Sequence, residues 1–74
     1  LLKSGLSERE IEILEWVRSG KTNIEIGMIL QISSYTVKNH LQRVFRKINV
    51  SNRAQAVGKL ENIMQLNQSE MASA

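Results

Sequence analysis

Four stretches of this chain carry apolar residues at helical spacing, each opened by a residue suited to cap a helix. Ser7-Glu8-Arg9-Glu10 reads as a capping box: the serine hydroxyl accepts from the backbone three residues on, and Glu10 reaches back. Behind it Ile11, Leu14 and Val17 predict a first helix that runs to Gly20, a residue suited to a left-handed stop. Thr22-Asn23-Ile24-Glu25 is a second box. It opens a short helix through Leu30 that buries Ile26 and Leu30. Ser33 or Ser34 caps a third helix, whose stripe of Val37, Leu41, Val44, Phe45 and Ile48 is roughly 100° wide. Asn49 tolerates a left-handed stop, and Ser51 caps a fourth helix with Ala56, Val57, Leu60, Ile63 and Met64 on one side. No strand is expected and the chain has no proline. The predicted fold is a compact all-α four-helix domain over residues 1–66, followed by a frayed tail at 67–74.

Composition narrows the chemistry. The chain's 74 residues make one small domain, burying about 60 % of the surface its unfolded form exposes. At 42 % hydrophobic and 23 % charged it is an ordinary globule, without the roughly 18-residue apolar run of a membrane span. Absence of cysteine excludes disulfides and thiolate metal sites. Absence of aspartate, with His40 the only histidine, excludes Ser-His-Asp triads, EF-hand loops and two-histidine metal sites. Neither a cofactor nor an enzymatic activity is expected. With no signal peptide and no initiating methionine, the chain is expected to be the end of a longer cytoplasmic protein.

Charge changes the picture more. The net charge is only +3, yet residues 26–60 hold Lys38, Arg43, Arg46, Lys47, Arg53 and Lys59 with no acid at all. Solvated helix faces ordinarily mix signs, so this stretch invites a polyanion; the bland alternative is an accidental cationic face. The second and third helices are joined by three residues, Gln31-Ile32-Ser33, as in a helix-turn-helix. In that motif the second helix lies in the DNA major groove. Opposite the apolar stripe of the third helix lie Tyr35, Asn39, Gln42 and Arg46, with Lys38 and Arg43 on the flanks. Asparagine and glutamine pair bidentately with adenine and lysine with guanine acceptors, each good bidentate contact discriminating by about 1–3 kcal/mol. The start of the helix also offers free N–H groups to a phosphate.

The motifs Leu6-Ser7-Glu8-Arg9-Glu10, Lys21-Thr22-Asn23, Glu25-Ile26, Thr36-Val37-Lys38-Asn39-His40 and Lys47-Ile48-Asn49-Val50 resemble the LuxR/GerE-type DNA-binding domain. Arg53 and Ala54-Gln55-Ala56-Val57 continue the likeness, which covers residues 6–60 without insertion. It implies a bacterial transcription regulator that binds double-stranded DNA as a homodimer, attached to an upstream sensor or receiver domain. It further implies base contacts from Lys38, Asn39 and Gln42, and phosphate contacts from Thr22, Ser34, Thr36, Arg46 and Lys47. Arg43, a flanking cation of the same helix, joins the expected phosphate set. The fourth helix is implied as the dimer contact, with Ala56, Val57, Leu60 and Met64 its expected residues. Two copies set about one DNA turn apart, roughly 34 Å, would read an inverted repeat. RNA polymerase is a further partner open to such a protein.

Three positions depart from the family pattern. Gln31 stands at a common turn glycine, a strain of up to about 1–2 kcal/mol if left-handed. Gly27 replaces an alanine, costing about 1 kcal/mol of helix propensity. Asn49 replaces a glycine.

Other residues have plainer readings. His40, at the edge of the apolar stripe, is expected to make a structural hydrogen bond rather than touch a phosphate. Trp16 is expected to pack half-buried, and Lys59 and Arg18 to be solvated. Tyr35 is balanced between a phosphate contact through its hydroxyl and no role. Gly58 is balanced between close approach of a partner helix and drift. Ile24, Met28 and Ile29 are unexpectedly apolar; Leu1, Leu2 or the C-terminal helix would cover them, or the upstream domain would dock there. The alternative functions are a sigma-factor-like promoter-reading region and an RNA- or protein-binding helical module. The latter lacks interleaved aromatics, since Trp16, Tyr35 and Phe45 are the whole aromatic set.

Overall fold

The computed structural model describes residues 5–62. Helices α1 (Glu8–Arg18), α2 (Asn23–Leu30) and α3 (Ser34–Lys47) follow in order, and residues 53–62 form α4. Among the described residues there is no strand. The expectations placed on Leu1, Leu2, Ile63, Met64 and the tail at 67–74 lie outside the described residues.

Local chemistry starts and stops α1, α2 and α3 where the pattern predicts. Helix α4 is capped one residue later than expected: Asn52 Oδ1, and not Ser51, accepts from the Gln55 N–H at 2.9 Å. Ser7 Oγ accepts from the Glu10 N–H at 3.1 Å, and Glu10 Oε1 accepts from the Ser7 N–H at 2.8 Å. Thr22 and Glu25 repeat the exchange at 3.1 and 2.9 Å. Of the two serines before α3, Ser33 is the cap, accepting from the Thr36 N–H at 3.0 Å. Each such cap stabilises by about 1 kcal/mol. The other ends are left-handed: Gly20 has φ +90°, and Gln31 and Asn49 both have φ 59°. In each case the following N–H turns back onto the helix: Lys21 to the Trp16 carbonyl, Ile32 to that of Gly27 and Val50 to that of Phe45. The strain foreseen at Gln31 is therefore present.

Two apolar clusters form the core. Leu6, Leu14, Val44, Ile48, Ala56 and Leu60 make one, and Ile13, Val17, Ile26, Val37 and Leu41 the other. Phe45 is half-buried and packs against both. Neighbours Ile13 and Leu14 point about 100° apart on α1, so this helix feeds both clusters. Ile13 is fully buried although the spacing of Ile11, Leu14 and Val17 did not select it. Trp16 is half-buried against the second cluster, as expected; Leu30 reaches only partial burial.

The reading of Gly27 needs correction. A Cβ at this position would lie 2.6 Å from the Ile32 carbonyl oxygen and 3.3 Å from the Ser34 nitrogen. Absence of a side chain lets the turn backbone close onto α2, and so helps set where α3 begins. Gly27→Ala should therefore lower stability by about 1–3 kcal/mol through forced displacement of the turn. The roughly 1 kcal/mol of helix propensity gained by alanine does not offset it. Denaturant melts of both chains check this: a more stable alanine variant would contradict the close approach.

Candidate nucleic-acid interface

The acid-free segment holds six cations, and the structure divides them in half. Lys47 Nζ lies 2.8 Å from Glu10 Oε1 and donates to the Gly5 carbonyl at 3.2 Å. Glu10 is only 3 % exposed. The Lys47 ammonium holds its carboxyl below the usual carboxylate range, the Ser7 N–H assisting and burial opposing. Arg53 donates to Asn23 Oδ1 at 2.8 Å and to the Lys21 carbonyl, tying the start of α4 to the α1–α2 loop. Lys59 donates to the Ile48 carbonyl at the end of α3. These three cations are committed inside the molecule.

Lys38, Arg43 and Arg46 are left. All three are exposed, and none joins an ion pair among the described residues, where the pairs are Arg9–Glu12 and Lys47–Glu10. All three stand on α3. The diffuse positive segment of the sequence thus resolves into the outward side of one helix. Its inward side carries Val37, Leu41 and Val44 in the core, which fixes the rotation of the helix.

The predicted site residues occupy the following places. Lys38 and Gln42 are exposed and Asn39 is half-buried; Asn39 and Gln42 lie on the outward row of α3, and Lys38 stands on its flank four residues before Gln42. Ser34 is exposed in the first turn. Thr36 is half-buried, its hydroxyl 2.9 Å from Ser33 Oγ. Thr22 is exposed at the N-terminus of α2. Lys47 is not brought to that row, because its ammonium points to α1; two of its three N–H bonds are engaged, leaving one. His40 is half-buried, and the expected structural hydrogen bond of its ring is not formed among the described residues.

The structure places the expected dimer residues largely inside the protomer. Ala56 is 0 % and Leu60 3 % exposed, both within the cluster of Leu6, Leu14, Val44 and Ile48. Val57 is half-buried against the second cluster. These side chains hold α4 onto its own protomer and have little surface to offer a partner. Met64 lies outside the described residues. An apolar stripe shows that a helix is covered, but not whether its own chain or a second copy covers it. Outward positions of α4 are Ala54, Gln55, Gly58, Lys59, Glu61 and Asn62. Nothing within 4 Å would meet a Cβ at Gly58, so the protomer does not require glycine there.

Sequence reasoning missed the burial of Glu10, whose capping role is local but whose charge partner is 37 residues away. The described part of α4 does not cover Ile24, Met28 and Ile29, which are 66 %, 69 % and 43 % exposed; the expected cover from Leu1 and Leu2 lies outside the described residues. No helix among the described residues is long and apolar enough to cross a membrane, and no cluster there fits a metal ion.

Comparison with known proteins agrees with this geometry. The family model described as bacterial regulatory proteins, luxR family, matches residues 4–60. The transcriptional activator protein PhzR of Pseudomonas fluorescens is 49 % identical over 69 % of this chain and 21 % of its own length. The quorum sensing-dependent regulator RpaR of Rhodopseudomonas palustris is 47 % identical over 77 % of this chain and 24 % of its own. The regulator MalT of Vibrio campbellii is 35 % identical over 85 % of this chain, which covers 7 % of MalT. The chain therefore spans a quarter or less of the length of these relatives. It belongs to the luxR family of bacterial regulatory proteins, and what it carries of such a regulator is the helix-turn-helix DNA-binding domain.

Proposed function

We propose that the chain binds double-stranded DNA sequence-specifically, as the effector domain of a bacterial transcription regulator, with α3 in the major groove. One observation carries this reading. Of the six cations in the acid-free residues 26–60, the three not committed internally all stand on the outward side of α3, beside a row of amide side chains. Lys38, Asn39 and Gln42 then read base edges. Arg43 and Arg46, with Ser34, Thr36 and Thr22, meet phosphates, and the remaining N–H of Lys47 adds one contact without leaving Glu10. Phosphate contacts supply most of the affinity, and base contacts set the preference.

A second copy would meet the first through outward positions of α4, since Ala56 and Leu60 among the described inward ones are buried in the protomer. The greater length of the relatives supports an upstream sensor or receiver domain in the full protein. Such a regulator works on the chromosome, in the bacterial cytoplasm.

Selection of bound sites from a random duplex pool tests the reading and yields half-site, spacing and symmetry together. Asn39→Ala should relax preference at one base pair by about 1–3 kcal/mol, with little change on random DNA. Equal losses on selected and random duplexes would remove Asn39 from the base-reading set.

A further inference from the structure

The outward row of α3 has a further member. Tyr35, Asn39 and Gln42 recur at the spacing that stacks side chains on one helical face, with Tyr35 at its N-terminal end. Tyr35 is 68 % exposed, its ring belongs to neither core cluster, and its hydroxyl bonds to no described residue. Nothing among the described residues accounts for a large aromatic there. The residue is the second of α3, and the first turn of a recognition helix is the part that reaches the bases.

We propose that Tyr35 is a specificity-determining residue, its ring packing on the C5-methyl group of a thymine in each half-site. This rests on the DNA reading above. Lysine, asparagine and glutamine recognise nitrogen and oxygen atoms. The one apolar feature on the major-groove edges is the thymine methyl, and the row holds one apolar surface to meet it. Phosphates flank the groove, and cations Arg43 and Arg46 already serve them. Arg46 shares that face but stands about three turns further along α3, whereas Tyr35 is in the first turn beside Asn39, which turns its ring toward bases rather than backbone. A tyrosine ring also offers a large, rigid contact at low entropic cost.

The test uses the 74-residue chain and duplexes selected by it, each thymine replaced in turn by deoxyuridine, which lacks only the methyl. The wild-type chain should lose about four-fold in affinity at one thymine per half-site, the effect of one buried methyl-sized group. Tyr35→Ala should be indifferent to that replacement, and selection with it should lose the thymine preference at that position alone. Tyr35→Phe should keep both. The proposal is overturned if no half-site thymine responds, or if Tyr35→Ala is as sensitive as wild type. Tyr35→Phe behaving like Tyr35→Ala would also overturn it, by showing that the hydroxyl makes the contact. Because Tyr35 is exposed, its substitution leaves the core intact. If Asn39→Ala relaxes its base pair while Tyr35→Ala changes nothing, only the tyrosine proposal falls. If no sequence is enriched at all, the DNA reading falls with it.

Discussion

Replacing Arg43 and Arg46 together by glutamine should weaken binding to every duplex alike, on the order of 50-fold at about 0.1 M salt. Each cation that neutralises a phosphate releases counterions and adds about 0.9 to the slope of log affinity against log salt. The double variant should therefore show a slope smaller by about 2. Both guanidinium groups are exposed and outside every ion pair among the described residues, so their loss leaves no buried group unpaired. Melting should be nearly unchanged. Lys59→Gln is the informative control, since that ammonium donates to the Ile48 carbonyl and belongs to the internal set. Its slope should match the wild type. If all the cations of residues 26–60 reduced the slope equally, the division into internal and outward charges would be wrong, and net charge alone would govern binding.

Lys47→Met should destabilise the fold by about 2–3 kcal/mol at neutral pH. The Glu10 side chain is 5 % exposed, and without the ammonium its carboxylate keeps only the Ser7 N–H. The cost stays below that of a fully buried pair because the Lys47 side chain is itself 37 % exposed. The pH dependence identifies the cause. In the folded chain Lys47 lowers the Glu10 pKa below its ordinary value of 4.5. That group therefore stabilises above this value, and the contribution is lost as pH falls through the folded pKa. The gap between Lys47→Met and wild type should accordingly be widest at neutral pH and narrow on acidification below about 4.5. Urea melts across that range measure it. A gap that stays constant would assign the loss to the packing of the lysine stem instead.

How much of this was legible in the sequence follows from the range of each interaction. Both capping boxes, the three-residue turn and the left-handed stops at Gly20 and Asn49 are written within a few residues, and all of them are found. The α3 stripe was equally plain, because a helix with one strongly apolar side has one way to face a core. Contacts distant in sequence were not legible. Glu10 carries two roles, and its local cap concealed the long-range one. Counting six cations overstated the interface because Lys47, Arg53 and Lys59 each meet a partner that spacing cannot reveal. Gly27 looked like a deficit in helix propensity until the Ile32 carbonyl was seen against it. Ala56 and Leu60 were identified as covered, but the covering partner proved to be their own protomer. Tyr35 was visible as part of the outward face. Its exposure without a partner among the described residues would suit an idle surface residue equally; its place in the first turn of α3, in line with Asn39 and Gln42, is what singles it out.

The most direct test is a nuclear magnetic resonance titration of the isotope-labelled chain with a short duplex at low salt. Side-chain and backbone signals of Lys38, Asn39 and Gln42 should shift together with that of Tyr35, while those of Ile24 and Met28 on the exposed side of α2 should stay in place. Signals of α3 that hold still while DNA is bound elsewhere, or that never move at any duplex concentration, would contradict the placement of α3 in the groove.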